Sequence, residues 1–191
     1  SYLRFKCFCI RQEVLSKRKT IVACSTPPGR GAISTVRLSG KRAVNIIQKI
    51  TRRKLKKKSY VLEFPLEKGL KEKCVLTIFR SPNSYTGEDV VEISTHGNPL
   101  IVEKVIQQCV NAGAFIAEPG EFTLRAYLNN KLTIDQSEAV IEVINANSMA
   151  SLKAAQNSLN GGLRMRISKV QQKLREARVL VETLIDFVDE D

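Results

Sequence analysis

The chain has 191 residues, 43% of them apolar, which is enough for one domain and part of another, or for two small ones. Its net charge of +12 calls for a polyanionic partner but says nothing about fold. The lack of Trp and the 6% aromatic content exclude a base-stacking RNA platform, and no apolar run approaches the roughly 20 residues of a membrane span.

In chain order, residues 1–19 form a basic leader with the single acid Glu13. Arg4 and Lys6 break any secretory apolar core, while an organelle-targeting remnant and a disordered leader both stay open. Thr20 to Cys24 is predicted as a strand. Ser25-Thr-Pro-Pro-Gly-Arg-Gly31 follows as a rigid turn whose glycines let the backbone lie close to a ligand. A second strand runs from Ala32 to Leu38 and carries Arg37. Ala43, Val44, Ile46, Ile47 and Ile50 then repeat at helical spacing. Residues 49–58 hold seven cations and no acid, either a solvated loop or an RNA-contacting patch. Strands are expected near Tyr60–Glu63 and Cys74–Phe79.

The central stretch is Asn83 to Pro99. Thr86-Gly87-Glu88 is turn chemistry, and Asp89 to Thr95 alternates as a half-buried strand does, with Val91, Ile93 and Thr95 on one face and Val90, Glu92 and Ser94 on the other. Glu92 is either a solvent-facing strand residue or, if buried, a carboxylate in need of a polar or cationic partner. Asn98-Pro99 starts a helix to Ala112, with Leu100, Ile101, Val105, Ile106, Cys109 and Val110 as its buried face and Gly113 as its stop. A strand at Ala114–Ala117 and a short helix within Glu118–Lys131 follow, the latter ended by Asn129-Asn130 so that Lys131 sits on a fixed turn.

From Asp135 the pattern is helical only. Asp135-Gln-Ser-Glu138 reads as a capping box, and Ala139, Val140, Val143 and Ile144 as the apolar stripe behind it. A helix over Ser148–Leu159 closes at Asn160-Gly-Gly162. Ile167, Val170, Leu174, Ala177, Val181 and Leu184 then form a heptad seam that needs a partner helix. The run to Asp191 has no stop signal, and the chain is expected to be a piece cut before another domain.

Chemistry narrows quickly. The five cysteines, Cys7, Cys9, Cys24, Cys74 and Cys109, show no CxxC spacing, and with one His they make no familiar zinc site. They are expected as reduced thiols of a cytosolic or matrix-type compartment, with Cys24, Cys74 and Cys109 in the core. His96 has no evident triad and reads as a turn histidine. No Gly-x-x-x-x-Gly-Lys-Ser/Thr run is present. Arg37, Glu92 and Lys131 remain, three charges at the ends or faces of ordered elements.

Thr20-Ile-Val-Ala-Cys-Ser-Thr-Pro-Pro-Gly-Arg-Gly-Ala32, Val36-Arg-Leu-Ser-Gly40, Ser84-Tyr-Thr-Gly-Glu-Asp89, His96-Gly97 and Pro119-Gly-Glu-Phe122 resemble the tRNA modification GTPases of the MnmE (TrmE) family. So do Leu128-Asn-Asn-Lys131, Asp135-Gln-Ser-Glu-Ala139 and Asn157-Ser-Leu-Asn-Gly-Gly162. The resemblance runs from Thr20 to Asp191, and the longer leader is the main departure. It implies an α+β fold: a mixed-sheet tetrahydrofolate-binding and dimerisation domain over 20–134, similar to the folate domain of the glycine-cleavage aminomethyltransferase. An all-α helical segment over 135–191 would follow, stopping before an inserted GTPase domain.

The same resemblance implies that the full-length enzyme hydrolyses GTP with potassium and magnesium at sites absent here, so that this piece alone does not. It would act with the FAD-dependent MnmG, as a homodimer and away from membranes, on C5 of the wobble uridine of certain tRNAs, adding a carboxymethylaminomethyl-type group. The setting would be the cytoplasm or the mitochondrial matrix. It assigns no catalytic and no metal residue here. Folate contacts fall on Arg37, Glu92 and Lys131, with a further contact from outside this chain, and the ligand would be a 5-formyl or 5,10-methylene tetrahydrofolate. A carboxylate can accept the paired N–H groups of a pterin, and cations suit the folate glutamate tail. A basic RNA-binding module without folate chemistry is the alternative. A stand-alone folate aminomethyltransferase fits less well, because the helical half resembles MnmE.

Overall fold

A computed structural model of the chain describes residues 19–186. The leader up to residue 18, with Cys7 and Cys9, lies outside them, as do residues 187–191. The described residues divide into two compact units, with the boundary between Lys131 and Leu132.

The first unit is a six-stranded mixed sheet. Its strands are β1 (Ile21–Cys24), β2 (Gly31–Ser39), β3 (Ser59–Glu67), β4 (Leu70–Phe79), β5 (Val90–Gly97) and β6 (Phe115–Ile116). The spatial order is β3-β4-β5-β2-β1-β6, with every pairing antiparallel except β1 with β6. Helices α1 (Ala43–Thr51), α2 (Pro99–Asn111) and α3 (Glu121–Leu128) complete the unit. The expected α+β architecture, a mixed sheet followed by an all-helical segment, is what the chain forms.

Period-2 alternation decides which residues enter the core. Val36 and Leu38 of β2, Leu62 and Phe64 of β3, Leu76 and Ile78 of β4, and Val91 and Ile93 of β5 are buried against Val44 and Ile47 of α1 and Val105 and Cys109 of α2. Each such side chain contributes about 1.5–3 kcal/mol by leaving water. Cys74 and Cys109 are core residues as expected, and burial pushes both thiols up to about 12. Cys24 is only half-buried; its Sγ lies 3.3 Å from Thr26 Oγ1 beside a cleft.

Several local expectations are corrected. The β3–β4 hairpin is longer than its hydrophobic runs suggest: β3 continues through Pro65 with a register shift before Glu67, and Gly69 turns the chain with φ 80°. Asn98 caps α2 by accepting from Leu100 N at 2.9 Å, but Leu100 is 69% exposed; Val102 packs on the core instead. Leu100 belongs to the first turn of the helix, before its apolar stripe settles onto the sheet.

In the second unit α4 (Ile134–Asn145), α5 (Met149–Leu159) and α6 (Gly162–Asp186) follow in turn. The capping box of α4 is Thr133 with Gln136, two residues before the expected Asp135. That start lets Gln136 Nε2 donate to Leu159 O at 2.8 Å, tying the N-terminus of α4 to the C-terminus of α5. Only Ala139 of the expected α4 stripe is buried; Val140 and Val143 are half-buried and Ile144 is 74% exposed. Gly162 opens α6 instead of closing α5, and the seam residues Ile167, Val170, Leu174, Val181 and Leu184 are exposed. No helix among the described residues is long and apolar enough to cross a membrane.

Candidate functional site

Because β2 and β5 pair antiparallel, Arg37 stands directly opposite Glu92. Both lie on the sheet face away from the α1–α2 core, alternating with buried Val36 and Leu38 on one strand and Val91 and Ile93 on the other. Arg37 donates from Nε to Glu92 Oε1 at 2.8 Å, and its second nitrogen, Nη2, reaches the same oxygen at 2.7 Å. The two side chains are each 25% exposed. This pair resolves the question that Glu92 posed: the half-buried carboxylate has a cation as partner. Among the described residues Glu92 Oε2 accepts no hydrogen bond, which leaves the carboxylate an acceptor to spare.

Two aromatic rings flank the guanidinium. Arg37 Cζ lies 5.5 Å from the Tyr85 ring centroid and 5.7 Å from that of Phe122, within range of cation–π attraction. Tyr85 Oη in turn pairs with Thr123 Oγ1 at 2.9 Å, so the turn before β5 and helix α3 are bridged beside the ion pair. A guanidinium between rings and a carboxylate is oriented, and a planar polar ligand laid along it meets π faces and a charged acceptor together.

The turn itself is braced from below. Arg125 of α3, 6% exposed, donates from Nη1 to Glu88 Oε2 at 3.0 Å and from Nη2 to Glu121 Oε1 at 2.8 Å. Ser39 Oγ donates to the same Glu88 oxygen at 2.8 Å and pairs with the buried Thr86 hydroxyl at 2.7 Å. Asn129 Nδ2 donates to Thr86 O at 2.6 Å. Thr86-Gly87-Glu88 is therefore held on both sides by buried polar bonds.

Comparison with known proteins decides the family. The family model described as "GTP-binding protein TrmE N-terminus" matches residues 20–131, and that described as "MnmE helical domain" matches residues 134–191. The chain belongs to the MnmE family. It is 43% identical over 180 residues to the tRNA modification GTPase MnmE of Francisella philomiragia, covering 91% of this chain and 39% of that protein. The MnmE of Francisella tularensis subsp. holarctica strain OSU18 is 43% identical and that of subsp. novicida strain U112 42% identical, each over 175 residues with the same coverage. The chain thus spans well under half the length of these MnmE relatives.

Against the residues expected from MnmE resemblance, the fold brings Arg37 and Glu92 into direct contact. It sets Lys131 on the turn after α3, exposed, with its backbone N–H donating to Ala126 O at 2.8 Å. The stem of Lys131 lies over Gly87: a Cβ at Gly87 would come within 3.1 Å of Lys131 Cγ. The Tyr85–Gly87 turn thus touches Arg37 at one end and Lys131 at the other. His96 stands apart, its Nδ1 2.7 Å from Glu72 Oε1 and its ring largely exposed.

Tyr85, Phe122 and Arg125 escaped the sequence reading. The Glu121–Arg125 spacing of four on a short helix was a visible signal for one half of the brace. Gly97 is explained by the fold alone: it pairs with Gly31 across β2 and β5, and a Cβ there would meet Gly31 O at 2.4 Å.

Proposed function

We propose that this chain is the folate-binding part of a tRNA modification GTPase, with Arg37, Glu92 and Lys131 as the binding residues. The observation that carries the proposal is the Arg37–Glu92 pair set beside two aromatic rings, with Glu92 Oε2 accepting no hydrogen bond among the described residues. A pterin offers an N–H and an exocyclic amine side by side, and a carboxylate with a free oxygen accepts them in a charge-assisted pair. Arg37 holds Glu92 in place while Tyr85 and Phe122 supply flat apolar walls. Lys131, on the neighbouring turn, would meet the carboxylates of the glutamate tail. When bound, a reduced folate in the 5-formyl or 5,10-methylene form supplies the one-carbon unit.

The wider setting is what the MnmE family resemblance implies, the relatives' names themselves giving tRNA modification and GTPase. The full enzyme would hydrolyse GTP with potassium and magnesium and act with MnmG on C5 of the tRNA wobble uridine. It would do so as a homodimer formed through the sheet unit, whose fold would be that of a folate-dependent aminomethyltransferase. The 191 residues hold no P-loop pattern, so the part proposed for them is binding and positioning.

Calorimetry with 5-formyltetrahydrofolate tests the site. The chain should bind, Glu92→Ala should abolish binding with an unchanged circular-dichroism spectrum, and Lys131→Ala should weaken it. Unchanged affinity in Glu92→Ala would overturn the assignment.

A further inference from the structure

The strongest charged feature outside this site is the connection between α1 and β3. Lys49 in the last turn of α1 and Arg52, Arg53, Lys54, Lys56, Lys57 and Lys58 after it are all exposed, with no acid among them. The segment is anchored at defined points. Leu55, in the middle of the run, is 2% exposed and belongs to the hydrophobic core. Tyr60 Oη accepts from Lys57 N, and Ile78 N donates to Lys58 O at 2.8 Å. Arg52 ends α1 in the left-handed conformation, with φ 53°. A buried leucine with cations on both sides fixes the backbone and turns the charged side chains outward.

Some cations elsewhere on the unit's surface are paired with acids. Lys71 pairs with Glu63, Arg80 with Asp89 and Lys104 with Glu67, whereas none of the seven makes an ion pair among the described residues. Glu63 is already bonded to Lys71 at 3.0 Å; that bond, with the fields of Arg53 and Lys73, keeps its carboxyl below the usual range. Seven uncompensated charges on an anchored loop repel one another, and a polyanion relieves that repulsion.

We propose that this loop is a phosphate-backbone contact surface for folded RNA. The choice of RNA over other polyanions rests on the reading of the chain as part of a tRNA-modifying enzyme. The chemistry agrees with it. Lys and Arg neutralise phosphates without reading sequence. The loop exposes no aromatic ring for base stacking, since Tyr60 is half-buried with its hydroxyl engaged, so recognition is by charge and shape, as in double-stranded RNA. The loop also exposes no apolar side chain to enter a bilayer, and a membrane site usually combines basic residues with such an anchor.

The test compares two variants of the whole chain with equal net charge. One carries Lys54→Gln, Lys56→Gln, Lys57→Gln and Lys58→Gln; the other carries Arg164→Gln, Arg166→Gln, Lys169→Gln and Lys173→Gln on exposed α6 positions. Fluorescence anisotropy with unmodified tRNA is followed across a salt series. The loop variant should lower the salt slope by about three and weaken binding on the order of 10²–10³-fold at 0.1 M salt, by the slope per neutralised phosphate. The α6 variant should stay near the parent, and replacing the same four loop lysines by arginine should retain binding. An equal loss in both glutamine variants, no loss in the loop variant, or loop-dependent binding to phosphatidylserine vesicles without tRNA binding would overturn the proposal. Folate affinity measured on the same samples should be untouched. A parent chain that binds tRNA through the loop but takes no folate would sink the folate assignment and leave this one standing.

Discussion

Two arginine–carboxylate centres of the sheet unit, at Arg125 and at Arg37, are built differently. At Arg125 the guanidinium is 6% exposed, both carboxylates are engaged, and Glu88 Oε2 also accepts from Ser39. At Arg37 the pair is 25% exposed on each side, both nitrogens crowd onto one oxygen, and the other oxygen has no partner among the described residues. At the first centre Glu88 Oε1 likewise accepts no hydrogen bond among the described residues, but its guanidinium is buried between two carboxylates. The second has a more exposed guanidinium and two aromatic rings beside its spare acceptor, a setting that suits a flat ligand from outside the chain. The exposure of the cation and the rings around it, more than charge itself, separate a site from a brace.

The largest effect that can break this contrast is at the brace. Arg125→Leu leaves Glu88 and Glu121 inward-facing and without their cation, and losing one partner of a buried pair costs about 3–5 kcal/mol. Urea denaturation should show that loss, with tRNA binding through the α1–β3 loop preserved while the fold persists. A cost below about 1 kcal/mol would place Arg125 among ordinary surface pairs.

The second prediction runs the other way. Glu92→Gln keeps an oxygen for Arg37 but replaces the spare acceptor with an amide donor. Stability should change by no more than about 1 kcal/mol, as for a partly solvated pair. Folate affinity should fall about 10–100-fold, the worth of one charged hydrogen bond at about 1.5–3 kcal/mol. If melting and folate binding dropped together, Glu92 would be a second brace and the distinction would collapse.

How much of this was legible depended on distance along the chain. Alternation in Asp89–Thr95 assigned the faces of β5 and marked Glu92 as a carboxylate needing explanation, and Asn98-Pro99 located the start of α2. What alternation cannot supply is register. Arg37 lies 55 residues before Glu92, and only the β2–β5 pairing turns two isolated charges into a pair. Arg125 shows the same limit: its bond to Glu121 is local, while its bond to Glu88 spans 37 residues. At α4 the local pattern points to a capping box at Asp135, and the chain caps the helix at Thr133 instead, where Gln136 also reaches Leu159 at the end of α5.

The smallest effect sharpens the comparison at the turn between the two centres. Gly87 has φ 75°, and a Cβ there would lie 3.1 Å from Lys131 Cγ and 3.2 Å from Asn129 Cβ. Gly69, at the tip of the β3–β4 hairpin, has a similar φ of 80° but open space around it. Alanine at either position carries the left-handed penalty of about 1–2 kcal/mol, so the two variants should lose similar stability from the backbone. Only Gly87→Ala also pushes on Lys131, and the lysine can yield by rotating its flexible stem. Folate affinity should therefore drop a few-fold in Gly87→Ala and stay level in Gly69→Ala, measured at the same fraction folded. Equal affinity in both would mean that the position of Lys131 is irrelevant to the ligand, and the site would shrink to Arg37, Glu92 and the two rings beside them.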